Sequence, residues 1–119
     1  MRRPTRDPRI LVDDMLRYCE TIAHWVDRGH GAYRDPESGV QATIERQFER
    51  FEEAGNALGA PFRKANPSIP WGPIFEIRNE LSHPYQRVYD PEKLWRFATV
   101  DLPRIARRLR SAKFPRDGE

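Results

Sequence analysis

Asp-Pro occurs three times in this chain, at Asp7-Pro8, Asp35-Pro36 and Asp90-Pro91, and each pair stands before a stretch whose apolar residues recur three or four positions apart. An aspartate carboxylate can accept one of the unpaired N–H groups at the start of a helix. A proline in the first turn has its φ already set and lacks an N–H that would otherwise go unused. The pattern is a helix start signal written three times, and no stretch alternates with period two for long enough to make a strand. The expected fold class is all-α, a four- to five-helix up-and-down bundle.

The first helix is predicted from Asp7-Pro8 to Gly29, with Leu11, Met15, Tyr18, Cys19, Ile22 and Val26 as its inner stripe. His24 falls on the opposite, solvated face, and His30 reads as loop. The second is predicted from Asp35-Pro36 to Gly59, burying Val40, Ile44, Phe48, Phe51, Ala54 and Leu58. Its outer face, Glu45, Arg46, Glu49, Arg50, Glu52 and Glu53, reads as solvated helix surface. Gly55 lies near the buried stripe, where it costs roughly 1 kcal/mol against alanine, which points to a close approach by another helix.

Residues 60–70 carry Pro61, Pro67 and Pro70 and read as a connection with at most one turn of helix. Trp71-Gly72-Pro73 begins the third helix and Asp90-Pro91 the fourth, with Leu94, Trp95 and Ala98 inward. Asp101-Leu102-Pro103 either kinks that helix or starts a fifth, with Ile105 and Leu109 inward. The 119 residues make one domain, 1–119, with a basic arm at 1–6 and a tail at 114–119 expected to be flexible.

The third helix contains the stretch IRNELSHPY, residues 77–85. At about 100° per residue, Ile74, Ile77, Leu81 and Tyr85 share one side while Phe75, Arg78, Asn79, Ser82 and His83 share another. Pro84 has no N–H to offer Glu80 and disfavours helical geometry at His83, which therefore sits at or just past the helix end. Spacing alone leaves two readings open: a polar helix terminus whose histidine complements the dipole, or a presented catalytic strip.

Arg-Asn-x-Leu-x-His-x-Tyr, set in an all-helical chain of this length, resembles the HEPN superfamily and within it the HepT toxins of toxin-antitoxin modules, marked by R-x4-H-x-Y. The likeness extends to Asp7-Pro8-Arg9, to Glu53-Ala54 with Leu58, to Pro67-Ser68-Ile69-Pro70-Trp71, to Leu94-Trp95 and to Asp101-Leu102-Pro103, roughly residues 7–110. Two positions depart from the family's pattern: Glu52, where glycine is common, and Pro84, where an acidic or polar residue is usual.

The resemblance implies an endoribonuclease that needs no metal or cofactor and acts at a composite site in a homodimer, with Arg78 and His83 catalytic and Asn79 supporting. Its RNA target would be a tRNA or an mRNA. It also implies neutralisation by an MNT-type nucleotidyltransferase antitoxin that transfers AMP from ATP to Tyr85. Tyr85 also falls toward the apolar face, so a structural role stays open. The alternative is a noncatalytic helical subunit that docks a minimal nucleotidyltransferase and presents substrate to it.

Composition bears on these expectations in three places. All of the 21 basic residues except Lys64, Lys93 and Lys113 are arginine, whose planar fork suits phosphate oxygens, although a bias in codon usage gives the same count. Arg104, Arg107, Arg108 and Arg110 along the last helix and Arg2, Arg3, Arg6 and Arg9 in the arm are either guides for RNA or solvated surface. The single Cys19 makes no internal disulfide, and no apolar run reaches the ~20 residues needed to cross a bilayer. With no secretory h-region behind MRRPTRDPRI, a cytoplasmic protein is expected.

Overall fold

The computed structural model describes residues 6–83 and 89–115. All three aspartates act as start signals: Oδ1 of Asp7 accepts from the Arg9 N–H at 2.9 Å, that of Asp35 from Glu37 at 3.0 Å and that of Asp90 from Glu92 at 3.0 Å. The first opens α1 (Pro8–Val26), where Leu11, Met15, Cys19 and Ile22 of the inner stripe are buried and Tyr18 and Val26 half-buried.

The second does not open the long helix that was expected of it. Asp35-Pro36 starts a 3-10 turn, Pro36–Ser38, and the turn ends at Gly39, whose φ of 76° lies in the left-handed region. The long helix α3 (Val40–Ala57) begins only after that glycine. Ser38 takes over as the local cap, its Oγ accepting from the Val40 N–H at 3.2 Å. Ahead of the turn, where a loop was expected, His30–Arg34 forms the short helix α2. Gly29, at φ 93°, supplies the reversal between α1 and α2, and the buried Tyr33 ring anchors the new helix to the core.

The connection after α3 holds more helix than expected. Helix α4 (Ala60–Ala65) turns Phe62 into the core before Asn66 ends it. Helix α5 (Trp71–Ser82) then follows. The last part of the chain runs without a break from α6 (Pro91–Arg96) through a π turn, Phe97–Asp101, into α7 (Leu102–Arg110). Pro103 explains the π turn. It has no N–H for the carbonyl of residue 99, and the helix accommodates it by letting the Leu102 N–H bond to Phe97 O, five residues back. Asp101-Leu102-Pro103 therefore both alters the helical run, through the π turn, and marks the start of α7.

Four long helical stretches, α1, α3, α5 and α6–α7, make an all-α bundle, with α2 and α4 tucked into its connections. Helix α1 packs most extensively on α3; α5 lies against α3, and α7 closes onto α1. Met15, Ile44, Phe48, Phe51, Ile74 and Leu94 are sealed from solvent at its centre. Gly55, in the last turn of α3, faces two other helices. A Cβ there would lie 3.1 Å from Met15 Cε on α1 and 3.3 Å from Trp71 Cζ3 on α5, which accounts for a glycine inside a helix. Among the described residues, no helix is long and apolar enough to cross a membrane.

Candidate active site

Helix α5 divides its residues as the wheel requires. Ile74 and Ile77 are buried, Leu81 is half-buried, Asn79 and Ser82 are exposed, and Arg78 is intermediate. The helix ends at Ser82. His83 follows with φ −131° and ψ 55°, outside helical geometry, its N–H still donating to Glu80 O at 3.2 Å. The histidine thus stands at the point where the chain leaves the helix, as the proline after it in sequence demands. Tyr85 and Pro84 lie outside the described residues.

Arg78 is held from two directions. Its Nη1 donates to Ser82 Oγ one turn on, and the same hydroxyl donates to the Arg78 carbonyl at 3.1 Å. Its Nε faces Glu52 Oε1 across the α3–α5 junction at 3.7 Å. That separation makes an ion pair without a hydrogen bond, and Nε is a buried donor left without an acceptor. Glu52 belongs to the face that the charge pattern assigned to solvent, yet its side chain is only 14% exposed because α5 covers it. Burial raises its carboxyl above the usual range, Arg78 pulls it down, and neighbouring Glu53 pushes it up.

The other flank of α5 is tied to α6. Lys93 Nζ bridges Glu76 and Glu80 at 3.0 Å each, and these bonds raise the ammonium pKa. The residue before it, Glu92, holds α2: its Oε2 lies 2.6 Å from His30 Nε2, and Arg34 Nε is 3.6 Å from its Oε1. His30 also stacks on Trp95 with ring centroids 5.1 Å apart, and the Tyr33 hydroxyl donates to Pro91 O at 2.6 Å. The first turn of α6, which receives the chain after the motif, is therefore clamped on both sides. Sequence reasoning missed this cluster. Its partners are about sixty positions apart, and nothing local to His30 announces them.

The remaining polar candidates divide clearly. His24 is exposed on α1, as expected. On α7, Arg108 Nη1 donates to Ser68 O at 2.7 Å and so serves the fold, while Arg104, Arg107 and Arg110 are exposed. Arg6 pairs with Asp14 at 3.0 Å and Arg9 lies over the ring of Phe114, 4.7 Å from its centroid. Phe114, expected in a loose tail, packs on Phe62 with centroids 5.5 Å apart. Arg2 and Arg3 lie outside the described residues. A groove of about 360 Å³ between α1 and α7 is lined by Cys19, Ala23, Ala98, Leu102, Ala106 and Arg107. Burial pushes the Cys19 thiol up to about 12, which leaves it protonated and a poor nucleophile. Among the described residues no three His, Cys, Asp or Glu side chains gather as a metal site would require.

The chemistry on offer is thus a half-buried guanidinium and a histidine, both at the C-terminal end of one helix. A family described as ribonuclease HepT-like matches residues 15–112. A "Probable ribonuclease HepT" from Thermococcus cleftensis is 30% identical over 66 residues, which cover 56% of this chain and 59% of the relative. The matched region thus spans less than two thirds of that relative's length. No solved structure matches the chain. The family match covers most of the chain and includes Arg78, Asn79 and His83, and on that ground the chain belongs to the HepT-like ribonuclease family.

Proposed function

We propose that this protein is an endoribonuclease that cleaves RNA without a metal ion, using Arg78 and His83 as catalytic residues with Asn79 in support. The observation that carries the reading is Arg78 in the last turns of α5, five positions before a histidine just past the helix end, in a chain of the HepT-like ribonuclease family. In the reaction, a base takes the proton of a ribose 2′-OH and the oxygen attacks the adjacent phosphorus. The bond to the 5′-oxygen breaks, and an acid protonates that leaving oxygen. The phosphate gains negative charge on the way, and the Arg78 guanidinium stabilises it. His83 is the group that moves the protons in this reading. Asn79, exposed on the same side, orients the histidine or a phosphate oxygen.

One histidine does not serve as base and acid in the same step. A twofold pair of chains supplies a second His83, so the active species of this reading is a homodimer with a composite site. In this reading the protein is the toxin of a toxin-antitoxin pair, and a nucleotidyltransferase of the MNT type silences it by transferring AMP to Tyr85. The charge and bulk so added beside His83 would exclude the RNA phosphate.

The mechanism is tested with an oligonucleotide carrying one ribose among deoxyriboses, incubated with protein and chelator. Cleavage at the ribose alone, leaving a 2′,3′-cyclic phosphate and a 5′-hydroxyl, supports the proposal. Cutting of the all-deoxy strand, or activity abolished by chelator, refutes it. For the regulatory part, co-incubation with the nucleotidyltransferase and ATP should add one AMP at Tyr85 and stop cleavage, and a Tyr85→Phe chain should escape.

A further inference from the structure

We infer that Glu52 is a positioning residue for Arg78, its charge set beside Nε so that Nη2 of the guanidinium is presented to the RNA phosphate. The inference rests on the reading of Arg78 as the phosphate-binding cation and adds to it a residue on a different helix. A guanidinium offers five N–H donors on three nitrogens in a rigid plane, so fixing two of its nitrogens fixes where the third points. In Arg78 the Nη1 is engaged by Ser82 Oγ and the Nε by the charge of Glu52. Nη2 has no protein partner among the described residues.

Glu52 serves this purpose for three reasons. It belongs to α3, the helix against which α5 packs, so it references Arg78 to the body of the bundle and not merely to its own helix. Its side chain is 14% exposed and Arg78 is the cation paired with it, so water and salt compete weakly for the contact. Its oxygen also sits 3.7 Å from Nε, too far for a hydrogen bond, and Nη2, which shares that edge of the plane, keeps its N–H on the Nη1 side for a phosphate oxygen. Ser82 alone gives a weaker hold, because it is exposed on the last residue of α5.

The test compares Glu52→Ala, Glu52→Gln and the unaltered chain in RNA cleavage, with kcat and KM measured separately. A misplacement of about 1 Å at a reacting group costs up to about 100-fold, so Glu52→Ala should lower kcat by about 10- to 100-fold. KM should change by less than about 3-fold, because the lost contact acts on geometry more than on ground-state binding. Glu52→Gln, which keeps the size of the side chain but removes the charge that faces Nε, should lower kcat as Glu52→Ala does. Unchanged kcat in Glu52→Ala overturns the inference. So does a fall in KM in both variants with kcat kept, which would make Glu52 a mere competitor of the phosphate.

The Arg78 Nε–H resonance gives a readout free of activity. Hydrogen exchange there should be slow in the unaltered chain, where Glu52 lies beside the buried Nε, and faster in both variants. Should the unaltered chain fail to cut RNA, the proposed function falls, while the exchange result still decides whether Glu52 holds Arg78. If Glu52→Ala does not fold, Glu52→Asp, one methylene too short, must show the same loss of kcat and the same faster exchange for the inference to stand.

Discussion

Replacing Asn66 by alanine should destabilise the bundle more than replacing any exposed residue of the motif. Asn66 is 7% exposed and sits where α4 ends. Its Nδ2 donates to Phe62 O at 2.9 Å and to Lys113 O at 2.8 Å, and its Oδ1 accepts from the Lys113 N–H at 2.8 Å. One side chain thus closes α4 and pins the chain beyond α7 to it, while the Asn66 carbonyl accepts from Trp71 Nε1 at 3.1 Å at the start of α5. Three side-chain hydrogen bonds at about 1 kcal/mol each, less some rehydration of Lys113, give a loss of about 2–3 kcal/mol. For a domain of this size that is a fall in Tm of about 8–12 °C. Urea unfolding at constant m-value measures the first quantity and calorimetry the second. Asn66→Asp, which turns a carboxylate oxygen onto the Phe62 and Lys113 carbonyls in a buried site, should cost at least as much as Asn66→Ala. A loss below about 0.5 kcal/mol, the range of ordinary surface substitutions, would refute the reasoning.

Two further outcomes follow from the titrating groups. Glu52 has a folded-state pKa above its unfolded one, so its charge weakens the fold at neutral pH, and its contribution improves as pH falls through the carboxylate range. Glu52→Gln should therefore raise Tm at pH 7, with the gain shrinking as both chains approach pH 4; a gain independent of pH would show that burial of the charge is not its cause. Cys19, buried and with its thiol pushed up to about 12, should react with a disulfide reagent at pH 8 only as fast as the bundle opens. Labelling that is rapid in buffer and no faster in urea would contradict that placement.

The parts of the fold that were legible in the sequence are those set by neighbours along the chain. Asp7-Pro8 starts α1 and Leu11, Met15, Cys19 and Ile22 of its stripe are buried, because capping and helical periodicity act within a few residues. Arg78 and His83 were placed for the same reason: one lies on the polar side of α5, the other just past its end. Asp35-Pro36 misled because the sequence contains the start signal but not the backbone reversal at Gly39, four residues on, that turned a helix start into a 3-10 turn. Helix α2 was invisible because its five residues have no period to read, and it is held by Pro91 and Glu92 from far along the chain. Glu52 looked like solvated surface because a wheel shows one helix at a time. Only the packing of α5 on α3 buries it beside Arg78.

The central claim is that Arg78 and His83 carry out RNA cleavage, and the most direct measurement is the rate at which purified protein cuts RNA beside Arg78→Ala and His83→Ala chains of matched stability. The account predicts that each substitution lowers the rate by at least about 100-fold, the usual worth of a proton-transfer group or of an electrostatic clamp. Cleavage at an undiminished rate by either chain would contradict it.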